Sequence, residues 1–155
     1  MVAMRKALLV SVAAATVMGA GGAARAAGPE ADVAHHGHVT LWDGRIGVWL
    51  ASGNHGPSTV PNTTVRLAFS VPLAAAQALP RGCAWSGAGA VVCRTGPLRA
   101  DGAAHEIALD LKAAGLPQEV TVRISTQWNG GAVDGNPDNN EHQVLVPATG
   151  DAYVF

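Results

Sequence analysis

The chain has 155 residues, of which 48% are hydrophobic and only 14% are charged, and its formal net charge is −1. This composition excludes an intrinsically disordered chain and is typical of one compact domain. No run of basic residues is interleaved with aromatic residues, which argues against nucleic acid and against an anionic membrane surface as partners.

Residues 1–26 are typical of a secretory signal peptide. Arg5 and Lys6 precede an apolar stretch over residues 7–17, and Ala24-Arg25-Ala26 fits the small-x-small rule for cleavage. A membrane-spanning helix needs about 20 strongly apolar residues, so this stretch predicts a cleaved signal, with a retained N-terminal anchor as the alternative. We therefore expect a secreted, extracellular protein with no membrane span after cleavage.

Signal removal changes the charge balance of the chain. It takes away three basic residues and no acidic one, which leaves seven basic against eleven acidic residues and a formal net charge of −4. A polyanion is therefore not the partner that composition predicts.

The remaining sequence predicts β-strands. Apolar and polar residues alternate in seven short segments, one of them a hairpin pair, that are separated by Gly, Pro, Asn and Asp. Within residues 45–52, for example, Ile46, Val48 and Leu50 share one face. The predicted segments are 38–42, 45–52, 64–71, the hairpin arms 84–87 and 90–94, 105–111, 119–128 and 141–146.

This spacing favours an antiparallel sandwich over a fold in which strands and helices alternate. Residues 73–79 are the single helical competitor, and we expect a loop there with at most one helical turn. Residues 27–37 are predicted to be a flexible mature N-terminus, residues 38–147 the sandwich domain and residues 148–155 a C-terminal tail.

The two cysteines of the chain are Cys83 and Cys93. An even cysteine count in an exported chain predicts a disulfide, and with two cysteines its connectivity is unambiguous. The bridge would close the short hairpin and stabilise the fold by roughly 2 to 3 kcal/mol. A redox role would need a CxxC pair or a thiol with a perturbed pKa, so we expect a structural bridge.

Several short motifs follow one another along residues 38–147. They are Asn54-His55-Gly56-Pro57-Ser58, Asn62-Thr63-Thr64-Val65, Cys83 with Trp85 and Cys93, Gly96-Pro97-Leu98, Asp101-Gly102, and Asp134-Gly135-Asn136-Pro137-Asp138-Asn139-Asn140. Their order resembles the bacterial Ig-like conserved repeat known as domain of unknown function eleven, and it is similar to the cell-adhesion-related bacterial domain CARDB. The resemblance implies a seven-stranded antiparallel immunoglobulin-like sandwich on a secreted or surface protein, and it carries no catalytic residue.

Histidines are the first weak candidates for metal ligands. His35, His36 and His38 form a dense cluster at the predicted mature N-terminus. Imidazoles at this density suit Cu, Ni or Zn, although a solvated tail is the simpler interpretation.

A run of oxygen-bearing side chains is the second weak metal candidate. Asp134, Asn136, Asp138 and Asn140 alternate in the manner of a calcium loop. The sixth position of this loop lacks Gly and the twelfth lacks Glu, which excludes an EF-hand. We expect a tight turn with side-chain to backbone hydrogen bonds, and we predict no metal and no cofactor.

The sequence contains no pattern that predicts catalysis. Ser58, Asp101 and His105 supply the residue types of a hydrolase, but no nucleophile-elbow motif surrounds a serine. We therefore predict a protein that is not an enzyme.

Tryptophans are frequent for a chain of this length. Of the four, one or two are expected in the core, and an exposed pair would offer a platform for sugars or for a protein surface. They are Trp42, Trp49, Trp85 and Trp128.

Together these features favour a non-enzymatic secreted or cell-surface interaction or structural module. Its partner would be another protein or a cell-wall polymer, contacted through loops or a sheet edge. The alternative is an exported metal-binding protein that uses either the histidine cluster or the Asp134–Asn140 loop.

Overall fold

The structure is a computed structural model that describes residues 28–155. The predicted signal peptide lies outside the described residues. Between residues 28 and 155 the chain is almost entirely β, as predicted, with a 3₁₀ turn at Pro137–Asn139. The strands are β1 Glu30–Ala31, β2 Val33–Trp42, β3 Arg45–Asn54, β4 Thr64–Phe69, β5 Cys83–Trp85, β6 Ala90–Arg94, β7 His105–Lys112, β8 Glu119–Trp128, β9 Val133–Asp134, β10 Glu141–Pro147 and β11 Tyr153–Val154.

Two antiparallel sheets contain nine of these strands. The five-stranded sheet has the order β10-β8-β4-β6-β5, and the four-stranded sheet has the order β11-β2-β3-β7. β1 and β9 form a small parallel pair of their own. The described residues thus contain eleven strands rather than seven. Eight of them match the predicted segments when the two hairpin arms are counted separately. The other three, β1, β9 and β11, are short pairings without sequence periodicity of their own. No helix in this part of the chain has the length and apolarity to cross a membrane.

The two sheets share one hydrophobic core. Inward positions alternate along each long strand, so that Val48 and Leu50 of β3 and Leu67 of β4 are buried in the same cluster. A second, smaller hydrophobic cluster is formed by Ala31, Val33, Val60 and Leu98. The side chains that face away from the core therefore form two separate outer faces.

The hairpin between β2 and β3 has a two-residue turn. Asp43 and Gly44 connect the paired residues Trp42 and Arg45, and their φ angles are 48° and 71°. Positive φ at both central positions is the turn that matches the right-handed twist of a hairpin, and Asp-Gly is among its preferred sequences. This turn fixes the register of all ten residue pairs between β2 and β3.

The prediction of a flexible N-terminus is wrong for its described part. Residues 33–37 belong to β2 and pair with β3, where His35 opposes Ser52. The sequence pattern failed here because His35 and Gly37 occupy inward positions at which an apolar side chain was expected. The strand therefore begins five residues before the predicted start at His38.

The prediction of a C-terminal tail is also wrong. Tyr153 and Val154 form β11, which pairs with β2, and Phe155 exchanges two backbone hydrogen bonds with Gly37. A Cβ atom on Gly37 would lie 2.7 Å from the ring of Phe155 and 2.1 Å from the carbonyl oxygen of Trp49. Gly37 is thus required for close packing of the C-terminal segment.

The Cys83–Cys93 disulfide is confirmed and joins directly paired residues of β5 and β6. Residues 73–79 form a loop without a helical turn, in which Leu73 bridges to Ala113. Most predicted strand limits agree with the structure to within two residues.

Candidate functional site

His35 is buried between the two sheets. One hydrogen bond joins His35 Nδ1 to Ser52 Oγ (3.0 Å), and another joins His35 Nε2 to Thr126 Oγ1 (2.8 Å). Burial, with smaller contributions from the nearby His142 and His36, lowers the pKa of His35 to about 4. His35 is therefore a neutral core residue that links the two sheets.

The histidine cluster is divided by the pleat of β2. His36 and His38 point to the outer face of the four-stranded sheet, whereas His35 points to the core. Because both ring nitrogens of His35 are hydrogen-bonded, neither is free to bind a metal. Over residues 28–155, no group of three His, Cys, Asp or Glu side chains is arranged to hold a metal ion.

The Asp134 loop is a hydrogen-bonded turn. Asp134 Oδ1 accepts from the backbone N–H of Asn136 (3.0 Å), and its Oδ2 accepts from the N–H of Val33 (3.2 Å) and from Asn140 Nδ2 (3.0 Å). Asp138 is exposed. The carboxylate of Asp134 thus attaches the loop to the start of β2.

The three residue types of a hydrolase are dispersed. His105 begins β7, and Asp101 and Ser58 lie in loops that contact Asn54 through backbone atoms. Among the described residues, no hydrogen bond joins the side chains of Ser58, Asp101 and His105. A nucleophile, base and orienting acid are therefore not assembled from these residues.

The outer face of the four-stranded sheet carries large exposed side chains. Trp42 is 64% exposed, Trp49 is 36% exposed and Val154 is 78% exposed. Val154 pairs with His38, and His38 pairs with Trp49, so these three residues form one row across the sheet, while Trp42 lies four residues from His38 at the hairpin end of β2. We call this surface the aromatic face; it consists of His36, His38, Trp42, Trp49 and Val154.

A ring stack fixes the orientation of Trp49. The ring centroids of His38 and Trp49 are 5.7 Å apart and their planes differ by 20°. His38 covers one side of the indole, and the cross-strand neighbour on the other side is Ala108, whose side chain is a single methyl group. On this second side the indole therefore has no large cross-strand neighbour.

Charged residues border the aromatic face. Glu106 and Lys112 are exposed on β7, and Arg45 forms a salt bridge with Asp110. An apolar centre with a charged rim is the usual composition of a protein interface. Trp42 and Trp49 are two of the four tryptophans noted in the sequence, whereas His38 is predicted to begin the first strand and Val154 to lie in a C-terminal tail. Strand pairing brings these residues together.

Comparisons with protein-family models, with curated proteins and with solved structures gave no match.

Proposed function

We propose that this protein is a non-enzymatic secreted or cell-surface interaction module with an immunoglobulin-like sandwich fold. Its aromatic face contacts another protein or a cell-wall polymer. The two antiparallel sheets around one core and the hairpin disulfide support the fold, and the signal-like residues 1–26 support export.

The stacked Trp49 carries this proposal. A large aromatic ring that is held in one orientation by His38 loses little conformational freedom when a ligand binds. Trp side chains of this kind dominate the energy of many binding surfaces. Val154 extends the apolar area beside His38, and Trp42 adds a second exposed ring at the hairpin end of the sheet. Exposed apolar surface of this kind favours burial against a partner over exposure to water.

Binding to isolated cell walls tests the proposal. The purified protein is incubated with wall sacculi in about 1 M salt, where the Debye length is roughly 3 Å and ionic contacts are screened. We expect the protein to be retained and Trp49→Ala to bind at least roughly tenfold more weakly, which corresponds to about 1.4 kcal/mol. Trp85→Ala is the matched control, because Trp85 is also exposed but lies on β5 of the other sheet.

Protease treatment of the walls separates the two partner classes. Retention on treated walls identifies a polymer, and loss of retention identifies a wall protein. Equal binding by the Trp49 and Trp85 variants, or no retention of the wild-type protein, would contradict the proposal.

Metal binding is the alternative function, and one observation favours it. His36 and His38 lie on the same face of β2, separated by one residue. Thermal unfolding with EDTA and with Zn²⁺ or Cu²⁺ distinguishes the two functions. If the protein is an interaction module, we expect the midpoint of thermal unfolding to be unchanged. A midpoint that rises by several degrees with one metal supports the metal-binding alternative.

A further inference from the structure

Three arginines form a line across the outer face of the five-stranded sheet. Arg66 in β4 pairs with Val92 of β6 and with Ser125 of β8. Arg123 of β8 pairs with Ala68 of β4, and Arg94 of β6 pairs with Thr64 of β4. Arg123 and Arg94 are therefore displaced from Arg66 by two residues in opposite directions, so the three arginines step diagonally across β8, β4 and β6. Each diagonal step of this kind spans about 7 to 8 Å, so the line is about 15 Å long. We call Arg66, Arg94 and Arg123 the arginine strip.

Among the described residues, no arginine of the strip forms a salt bridge, and the exposed carboxylate of Glu141, which pairs with Ser125, lies diagonally from Arg123. Within residues 28–155 the one salt bridge joins Arg45 to Asp110 on the opposite face. Arg123 donates to the amide oxygen of Gln143 (2.9 Å), which carries no charge. The strip holds three of the seven basic residues that remain after residue 26, so the net charge of −4 conceals a locally basic surface.

An exposed tryptophan lies beside the strip. Trp128 is 49% exposed and pairs with Thr64, which also pairs with Arg94. The other cross-strand partners of the strip are small or neutral, namely Ala68, Val92 and Ser125. A cavity of about 240 Å³ adjoins Arg66 and Arg123, and Ser70, Thr121 and Gln143 add hydroxyl and amide groups to its lining.

We propose that the arginine strip and Trp128 bind an anionic polysaccharide, one that bears uronate or sulfate groups. Guanidinium groups pair with carboxylates and sulfates through two parallel hydrogen bonds, while the flat indole suits the apolar face of a sugar ring. This site is independent of the aromatic face, because it lies on the opposite sheet.

Two other anionic partners fit the site less well. An acidic peptide in extended form binds best at a sheet edge, where backbone groups are free, but the strip crosses β8, β4 and β6, whose backbones are already paired on both sides. Single-stranded nucleic acid needs aromatic rings for successive bases, and one ring accompanies this strip.

Titration with a heparin oligosaccharide tests the proposal. We expect the wild-type affinity to fall steeply with salt, with a logarithmic slope of at most about −2 for three ionic contacts. Arg66→Ala with Arg123→Ala should weaken binding roughly tenfold, as expected for the loss of two exposed ion pairs. It should also reduce the slope to near −0.7. Trp128→Ala should weaken binding roughly fivefold with an unchanged slope, because it removes stacking and no charge.

A charge-matched variant controls for general electrostatics. Arg45→Ala with Lys112→Ala also removes two positive charges, but from the other face, and should bind the oligosaccharide nearly as the wild-type protein does. Equal losses in the two double variants would overturn the proposal, as would no binding by the wild-type protein. Equal or tighter binding of polyglutamate or of oligothymidylate would assign the strip to an acidic peptide or to single-stranded nucleic acid.

Discussion

The outer faces of the two sheets carry different chemistry on the same scaffold. The four-stranded sheet presents Trp42, Trp49 and His38, which stacks on Trp49. Arg45 on the same face forms a salt bridge with Asp110, which neutralises its charge. The five-stranded sheet presents three arginines, none of which forms a salt bridge among the described residues. Side chains alternate along each strand, so every outward residue lies next to residues that fill the core. Packing of the core therefore determines the direction of the outward side chains, but it does not determine which residue types occupy these positions.

This difference separates the requirements for folding from those for binding. Inward positions are occupied by residues such as Val48, Leu67 and Ile124, which a stable core needs in any protein of this class. Outward positions have no such requirement, so an aromatic platform on one sheet and an arginine strip on the other point to two distinct ligands.

The largest expected effect comes from His35, which belongs to neither outer face but links the two sheets through the core. The pKa of His35 is about 4 in the folded protein and about 6.5 in the unfolded chain. Below pH 6.5 the unfolded chain binds a proton that the folded protein does not, so stability falls as the pH decreases towards 4. We expect His35 to account for a loss of about 3 kcal/mol between pH 7 and pH 4.

Urea unfolding at a series of pH values measures this loss. His35→Gln removes the titrating group and keeps hydrogen-bonding capacity for Ser52 or Thr126. Between pH 7 and pH 4 this variant should therefore lose about 3 kcal/mol less stability than the wild-type protein does. His142→Gln removes a neighbour that lowers the pKa of His35, and should give a smaller change of the same sign. If the wild-type protein and His35→Gln lose equal stability on acidification, the buried neutral role of His35 is wrong.

A smaller effect is expected from the disulfide, which belongs to one sheet. Replacing Cys83 and Cys93 by Ala should lower the free energy of unfolding by roughly 2 to 3 kcal/mol, as a loop of this length predicts. Because Arg94 follows Cys93 in the edge hairpin, oligosaccharide binding should weaken while wall binding through Trp49 is retained. Hydrogen exchange should increase in β5 and β6 before it increases in β2 and β3. Equal changes in both sheets would contradict this assignment.

The smallest effect is expected from the outward residues themselves. Trp49→Ala, and Arg66→Ala with Arg123→Ala, should each change the free energy of unfolding by less than about 1 kcal/mol, since these side chains contribute little to the core. Denaturant unfolding of the three proteins at pH 7 checks this expectation. A loss above about 2 kcal/mol would show that the face concerned supports the fold, and its binding data would then need a different interpretation.

Sequence periodicity predicted much of the fold and little of the candidate sites. Alternation in residues 119–128 reflects a local rule, so the limits of this strand agree with the structure. The cysteine pair was likewise predictable from its count. The predicted β2 is too short because the buried, polar His35 interrupts the apolar pattern. Its hydrogen-bond partners, Ser52 and Thr126, are distant in sequence, so the sequence pattern does not indicate that His35 is buried.

The arginine strip was not predictable from the sequence. Arg66, Arg94 and Arg123 are separated by 28 and 29 positions, and they become neighbours because β4 lies between β6 and β8. That strand order is set by tertiary packing and not by local preference. Composition even suggested the opposite conclusion, because net charge averages over both faces.

An NMR titration distinguishes two separate binding faces from a single continuous surface. Isotope-labelled protein is titrated with the heparin oligosaccharide, and the indole and guanidinium signals are followed at each addition. We expect shifts at Arg66, Arg123 and Trp128 with no change at Trp49. Shifts of equal size at Trp49 and Trp128 would contradict this expectation, because the two sheets would then act as one undivided surface.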